Sequence, residues 1–220
     1  MCENGAAGPR RAIRHDGDPT DGYPAFALRL PAWVPPYLAR RDSVYPTAEE
    51  RMGLAIALAR LNIEHGTGGP FGAAVFDMER HTLLAAGVNL VVSGKCSVLH
   101  AEIVALIFAQ QRLGWHDLSA EKNARYELVS SAEPCAMCMG AVPWSGVRSL
   151  VCGARDEDVR CAGFDEGAKP QDWVAALTAR GISVRRDVCR DVARDVLLDY
   201  AAQGGPVYNA GGSRSFPRTE

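Results

Sequence analysis

No stretch of this sequence approaches the roughly 18 consecutive apolar residues that a membrane-spanning helix requires, so a membrane partner is not expected. The N-terminal MCENGAAGPRRAIRHDGDPTDG lacks the apolar core of a signal peptide, which points to the cytoplasm. An excess of either charge is lacking too: 24 Lys and Arg stand against 26 Asp and Glu. The basic clusters PRRAIR, LARRDS and VRRDV are short and scattered, whereas a phosphate backbone calls for a concentrated basic face. No nucleic-acid partner is therefore expected. Internal repeats and low-complexity segments are missing, which excludes a repeat architecture. Cysteine is not scarce. Seven cysteines, an odd number without a secretion signal, fit a reducing compartment and thiols that are free or metal-bound.

What is there suits one well-cored domain. A chain of 220 residues with 47% apolar and 23% charged residues has the balance of a soluble globular protein. Residues 1–46, rich in Pro, Gly, Arg and Asp, read as an extended or partly disordered leader, with FALRLPAWVPPYL placed to lie across the body. Residues 47–210 carry the ordered pattern, and 211–220 form a polar tail. Thr47 and Glu50 have capping-box spacing ahead of Met52, Ile56, Ala59 and Ile63, which keep a helical period until Gly66. PFGAAVFDM and TLLAAGVNLVV, joined by ERH, predict a hairpin of two strands. SVLHAEIVALIFAQQRLG predicts a long helix from about Ser97, and RYELVSSA a strand. PCAMCMGAVPWSG predicts a short helix that Pro143 kinks or ends. RSLVCGA and ISVRRDV read as strands, DWVAALTARG and RDVARDVLLDYAAQGG as helices. The alternation predicts an α/β sandwich around a mixed sheet of about five strands.

Within the apolar run VLHAEIVAL, His100 and Glu102 are two residues that an ordinary buried helix would not carry. Two residues span about 200° of a helix, so the pair can reach a common point only from the helix start. Downstream, SAEPCAMCMGA puts Cys135 and Cys138 three apart at another helix start, where the helix dipole favours thiolate. C-x-x-C alone fits a redox dithiol as well. His100 supplies the third protein ligand of a catalytic zinc site, which leaves a fourth position for water. Glu102 is the matching acid–base group. H-x-E followed by P-C-x-x-C is the pattern of the zinc deaminases.

From about Thr47 to Asn209 the chain resembles the cytidine-deaminase-like superfamily, and within it the purine-base branch typified by bacterial guanine deaminase. GPFGAAVFD, AAGVNLVV, HAEIVAL, SAEPCAMCMGA, WSGVRSLVCGAR and GFDEG carry the resemblance. It implies a three-layer α/β/α fold, a homodimer and one Zn2+ per subunit held by His100, Cys135 and Cys138, with Glu102 as proton shuttle. It further implies that Asn89 hydrogen-bonds the purine edge, that Ala101 contacts the substrate beside it, and that Phe71 and Trp144 sandwich the base. Glu166, in GFDEG, matches a second acid near the substrate, which relays a proton or accepts hydrogen bonds from purine N–H groups. Asp165 beside it reads as a solvated loop acid.

The implied reaction is hydrolysis of guanine to xanthine and ammonia. Guanosine, a pterin or an ammeline-type triazine presents a similar amino-bearing carbon, so these stay open as substrates. A tRNA adenosine deaminase shares the zinc motif but calls for the basic face that this chain lacks. A non-catalytic zinc-stabilised module would have no use for Glu102. At the C-terminus, AAQGG stops the last helix, yet Val207 and Tyr208 follow before the polar GGSRSFPRTE. The resemblance implies that this segment, with Tyr208 against the substrate, closes over an active site, its own or, by a swap, that of the partner in the dimer.

Overall fold

Thr47 opens the first long helix as its spacing with Glu50 predicts: its side chain accepts from the Glu50 N–H, and the Glu50 carboxylate accepts from the Thr47 N–H at 2.8 Å. The structure, a computed structural model, describes residues 26–120 and 125–209. Its elements in chain order are α1 (Val34–Leu38), α2 (Ala48–Glu64), β1 (Gly72–Asp77), β2 (Thr82–Val88), α3 (Ala101–Leu113), β3 (Tyr126–Ala132), α4 (Ala136–Ser145), β4 (Ser149–Ala154), α5 (Asp156–Cys161), α6 (Trp173–Thr178), β5 (Ser183–Arg185) and α7 (Arg190–Ala202).

The five strands form one mixed sheet in the order β2-β1-β3-β4-β5. β1 runs antiparallel to both β2 and β3, while β3, β4 and β5 are mutually parallel. Alternate residues of each strand face opposite layers. Ala74, Phe76, Val129 and Val151 join the core under α2 and α7, with Met52, Leu58, Val196 and Leu197. Ala73, Val75, Leu128 and Leu150 join the core on the other face, with Ala105 and Val142, and with Trp173 and Leu177 of α6. The result is the three-layer α/β/α sandwich. Residues 26–46 contribute Val34, wholly buried, together with Leu28, Leu30 and Trp33 to the first of these cores. Residues 1–25 and 210–220 lie outside the described residues.

Two sequence expectations need correction, and a short helix was not anticipated. The third helix begins at Ala101, not near Ser97, because His100 is extended (φ −69°, ψ 157°) and serves as its N-cap. Pro143 neither ends nor breaks α4, which runs on to Ser145 and stops at Gly146 in the left-handed region. Its ring removes one N–H, facing the carbonyl of Met139, within the last turn and a half of a short helix, where little ladder remains to disrupt. Finally, DEDVRC forms the short α5, which carries too few apolar residues to show a period.

One glycine places the site. A Cβ on Gly87 of β2 would fall 2.2 Å from the Ala101 carbonyl oxygen. Only glycine lets the first turn of α3, with His100 and Glu102, lie directly on the sheet.

Candidate active site

Two helix N-termini converge on one point. His100 is the N-cap of α3 and Cys135 the N-cap of α4, both with extended backbone, so their side chains leave the helix ends instead of a flank. Glu102 and Cys138 follow in the first turns, which resolves how residues two apart reach one place. The ligand atoms of His100, Cys135 and Cys138 lie within 4.8 Å of one another. Cys135 Sγ stands 3.5 Å from His100 Nδ1. Two ligands of a tetrahedral zinc, at the usual Zn–S and Zn–N lengths, are about 3.6 Å apart. The donor set therefore fits zinc in kind, number and spacing.

The electrostatics fit as well. A hydrogen bond from the Cys138 thiol, with a further one from His100, holds the Cys135 thiol down to about 4. The Cys138 thiol is pushed well up by its bond to Cys135 and by burial. The pair thus shares one proton between two sulfurs at the positive ends of the helices, a preformed thiolate centre suited to a soft cation. Burial also pushes the Glu102 carboxyl up, with Cys135 adding to the effect and His100 opposing it.

This centre forms one wall of a cavity of about 820 Å³ that Phe71, Asn89, His100, Glu102, Cys135, Glu166 and Tyr208 all line. Glu166 is buried, and its Oε2 has no hydrogen-bond partner among the described residues. Burial, then the negative charge of Cys135 and Glu102, pushes its carboxyl up to about 8. Asp165, its neighbour, is spent on the loop: it accepts from the Gly167 N–H at 2.8 Å and lies 3.9 Å from Arg160. The loop is pinned to the thiolate centre, since the Ala136 N–H donates to the Glu166 carbonyl at 2.9 Å. Lys169 donates to the Pro134 carbonyl at 3.1 Å and pairs with Asp156 at 2.9 Å and Glu133 at 3.6 Å. Glu133, buried beside the cysteine loop, is gripped again by Arg186 at 2.5 Å.

Asn89 stands just past β2, with its Oδ1 accepting from the Val91 N–H at 3.3 Å. That bond turns the amide so that its NH2 is the group offered to a ligand. Phe71 meets Phe164 edge to face at 5.0 Å on the cavity wall. Two expected residues are elsewhere. Ala101 is wholly buried, its side chain in the core beneath α3. Trp144 is 86% exposed on the outer face of α4 and lines no part of the cavity, because nine residues of helix carry it away from Cys135.

Sequence reasoning missed Phe164, Tyr200 and Asn209. Phe164 stacks on Tyr200 at 6.1 Å, and the Tyr200 hydroxyl donates to the Pro206 carbonyl at 2.8 Å. Asn209 accepts from the Asp165 N–H at 2.9 Å and donates to the Gly163 carbonyl at 3.0 Å. Residues 206–209 therefore close on the Glu166 loop. The one signal for Phe164 was its place in GFDEG, two residues before Glu166.

A model of the cytidine and deoxycytidylate deaminase zinc-binding region matches residues 46–154. The guanine deaminase of Bacillus subtilis is 34% identical over 112 residues, 51% of this chain and 67% of that one. Among solved structures, the guanine deaminase of Nitrosomonas europaea is 50% identical, with TM-score 0.76, over 81% of this chain and 97% of that one. A further solved chain, NE0047 in complex with 2,6-diaminopurine, is 50% identical, with TM-score 0.77, over 84% and 97%. Among the described residues no helix is long and apolar enough to cross a membrane.

Proposed function

The chain belongs to the zinc-dependent deaminases of the cytidine and deoxycytidylate type, and from that premise we propose that its substrate is a free purine base, guanine, converted with water to xanthine and ammonia. The observation that carries this reading is the second acid. Glu166, buried with an unpartnered oxygen, faces the cavity together with Glu102 and the thiolate centre. A carboxyl held near 8 keeps and releases a proton near neutral pH, which suits a polar purine edge bearing both donors and acceptors.

His100, Cys135 and Cys138 would hold the zinc. When bound, it supplies Lewis-acid chemistry and brings the ionisation of water towards pH ~7. The remaining steps belong to the chain. Glu102 takes a proton from the attacking water and passes it to the ring nitrogen beside the amino-bearing carbon, which makes that carbon more electron-deficient. It then takes the proton of the hydroxyl added to that carbon and carries it to the amino group, so that the C–N bond breaks, a carbonyl is left on the ring and ammonia departs. Asn89 donates to the purine edge. Phe71 and Phe164 confine the ring, and Tyr208 covers it.

The same reading includes a homodimer. AMCMGAVPWS has no charged residue, yet α4 exposes Met137, Gly140 and Trp144 along one side. A helix apolar all round is normally covered, and a second copy is the occupant we propose, with Trp144 in the contact.

Ammonia release from guanine, guanosine, a pterin, ammeline and an adenosine-bearing tRNA hairpin tests the substrate. Guanine is expected to lead, and Glu166→Ala to lower its turnover by roughly 10²-fold, with zinc unchanged. Asp165→Ala is expected to stay within a fewfold of the unmodified protein. Equal, mild effects of both substitutions would return Glu166 to a loop role, and a preference for the RNA would overturn the assignment.

A further inference from the structure

Trp33 precedes the stretch that matches the family, and it does not line the cavity. It is nevertheless joined to the cavity wall by an unbroken run of hydrogen bonds. The Trp33 indole Nε1–H donates to Thr67 Oγ1 at 3.0 Å. The Thr67 hydroxyl donates its single proton to Asn62 Oδ1 at 2.7 Å. Asn62, in α2 and 0% exposed, then donates from Nδ2 to the carbonyls of Gly69 and Asn89, each at 2.9 Å. Every polar atom of the Asn62 amide is used, and the Thr67 hydroxyl both accepts and donates. Direction is therefore fixed along the relay from an N–H, which can only donate, to two carbonyls, which can only accept.

The relay is also tight. A Cβ on Gly68 would fall 1.8 Å from the Asn89 carbonyl oxygen and 2.7 Å from Asn62 Nδ2, so the loop lies pressed on the Asn89 backbone. At its other end, the Trp33 ring stacks on His65 at 5.1 Å with the planes 10° apart. Trp33 thus holds the loop by both His65 and Thr67, and the loop in turn fixes where Asn89 leaves β2.

We infer that Trp33 is a positioning residue for substrate capture, its indole N–H setting the place of Asn89 through Thr67 and Asn62. The inference rests on the reading of Asn89 as the donor to the purine edge. It gives residues 26–46 a role in the site in addition to the core packing of Val34.

Trp33→Phe removes the N–H and keeps a ring for the stack. It is expected to raise KM for guanine about five- to tenfold, with kcat within about twofold and zinc content and unfolding temperature unchanged. Because the Val91 N–H donates to the Asn89 side chain, amide exchange at Asn89–Val91 should quicken roughly tenfold while α7 stays protected. Thr67→Val, which breaks the same relay without touching the stack, should quicken the same amides. In an Asn89→Ala background, Trp33→Phe should change KM by less than about twofold.

An equal KM penalty in that background would overturn the inference, because Trp33 would then act on the fold at large. Unchanged exchange at Asn89–Val91 in both relay variants would overturn it too. Should Asn89→Ala alone leave guanine kinetics at their unmodified values, the substrate reading of Asn89 fails. Exchange then decides the relay by itself, quickened amides upholding it and unchanged ones overturning it.

Discussion

Glu102→Gln is expected to leave zinc at about one per chain and to lower guanine turnover by roughly 10² to 10⁴, the range for loss of a general acid–base group. That range corresponds to about 2.7 to 5.4 kcal/mol of transition-state stabilisation. The substitution exchanges one oxygen for an NH2 and nothing else. Glu102 is buried in the first turn of α3, and burial already raises its carboxyl. A neutral amide of the same shape in that place therefore costs the fold little, whereas it can neither accept nor return a proton. Turnover measured beside metal content separates the two roles. A variant with its zinc lost would make Glu102 a support of the metal centre, and near-normal turnover would remove it from the mechanism.

The parts of this protein that could be read from sequence are those fixed by local chemistry. Thr47 and Glu50 cap each other within one turn, and the paired apolar runs around ERH have nowhere to go but a hairpin. The cysteine pair was legible for a similar reason, since only two residues separate its members. The start of α3 was not. His100 lies in an apolar run that reads as helix, and it is the seating of Ala101 on Gly87 that makes the helix begin one residue after the ligand.

Long-range partners were invisible. The bond from Trp33 to Thr67 spans 34 residues, and that from Asn62 to Asn89 spans 27, so no local period records them. Trp144 shows the opposite failure. Its residue type suggested a stacking platform, but side-chain type does not say which way a helix turns. The structure puts it on the outside of α4, away from the cavity. Asp165 and Glu166 are adjacent, chemically alike and both on the cavity wall, and only the backbone of GFDEG pairs the first within the loop and leaves the second with a buried, unpartnered oxygen.

Cys135→Ala is expected to abolish turnover because the chain should then carry on the order of a tenth of a zinc or less. Three ligands are the minimum for a catalytic site, and the loss of one leaves a histidine and a single thiol. That remaining thiol, Cys138, is buried, and burial by itself disfavours the thiolate that zinc requires. The substitution is clean for the fold. Cys135 occupies the N-cap of α4 without making a side-chain capping bond, so alanine there forfeits no cap. Its thiol is held near 4 by neighbours that face the centre, not by contacts that support the sheet. The unfolding temperature of the variant should accordingly match that of the unmodified protein after chelation, since each has lost the same metal and little else. A lower value in the variant would show that Cys135 also supports the fold. Metal analysis decides the assignment: full zinc in Cys135→Ala means that the third ligand is another residue, and that His100, Cys135 and Cys138 do not together form the centre.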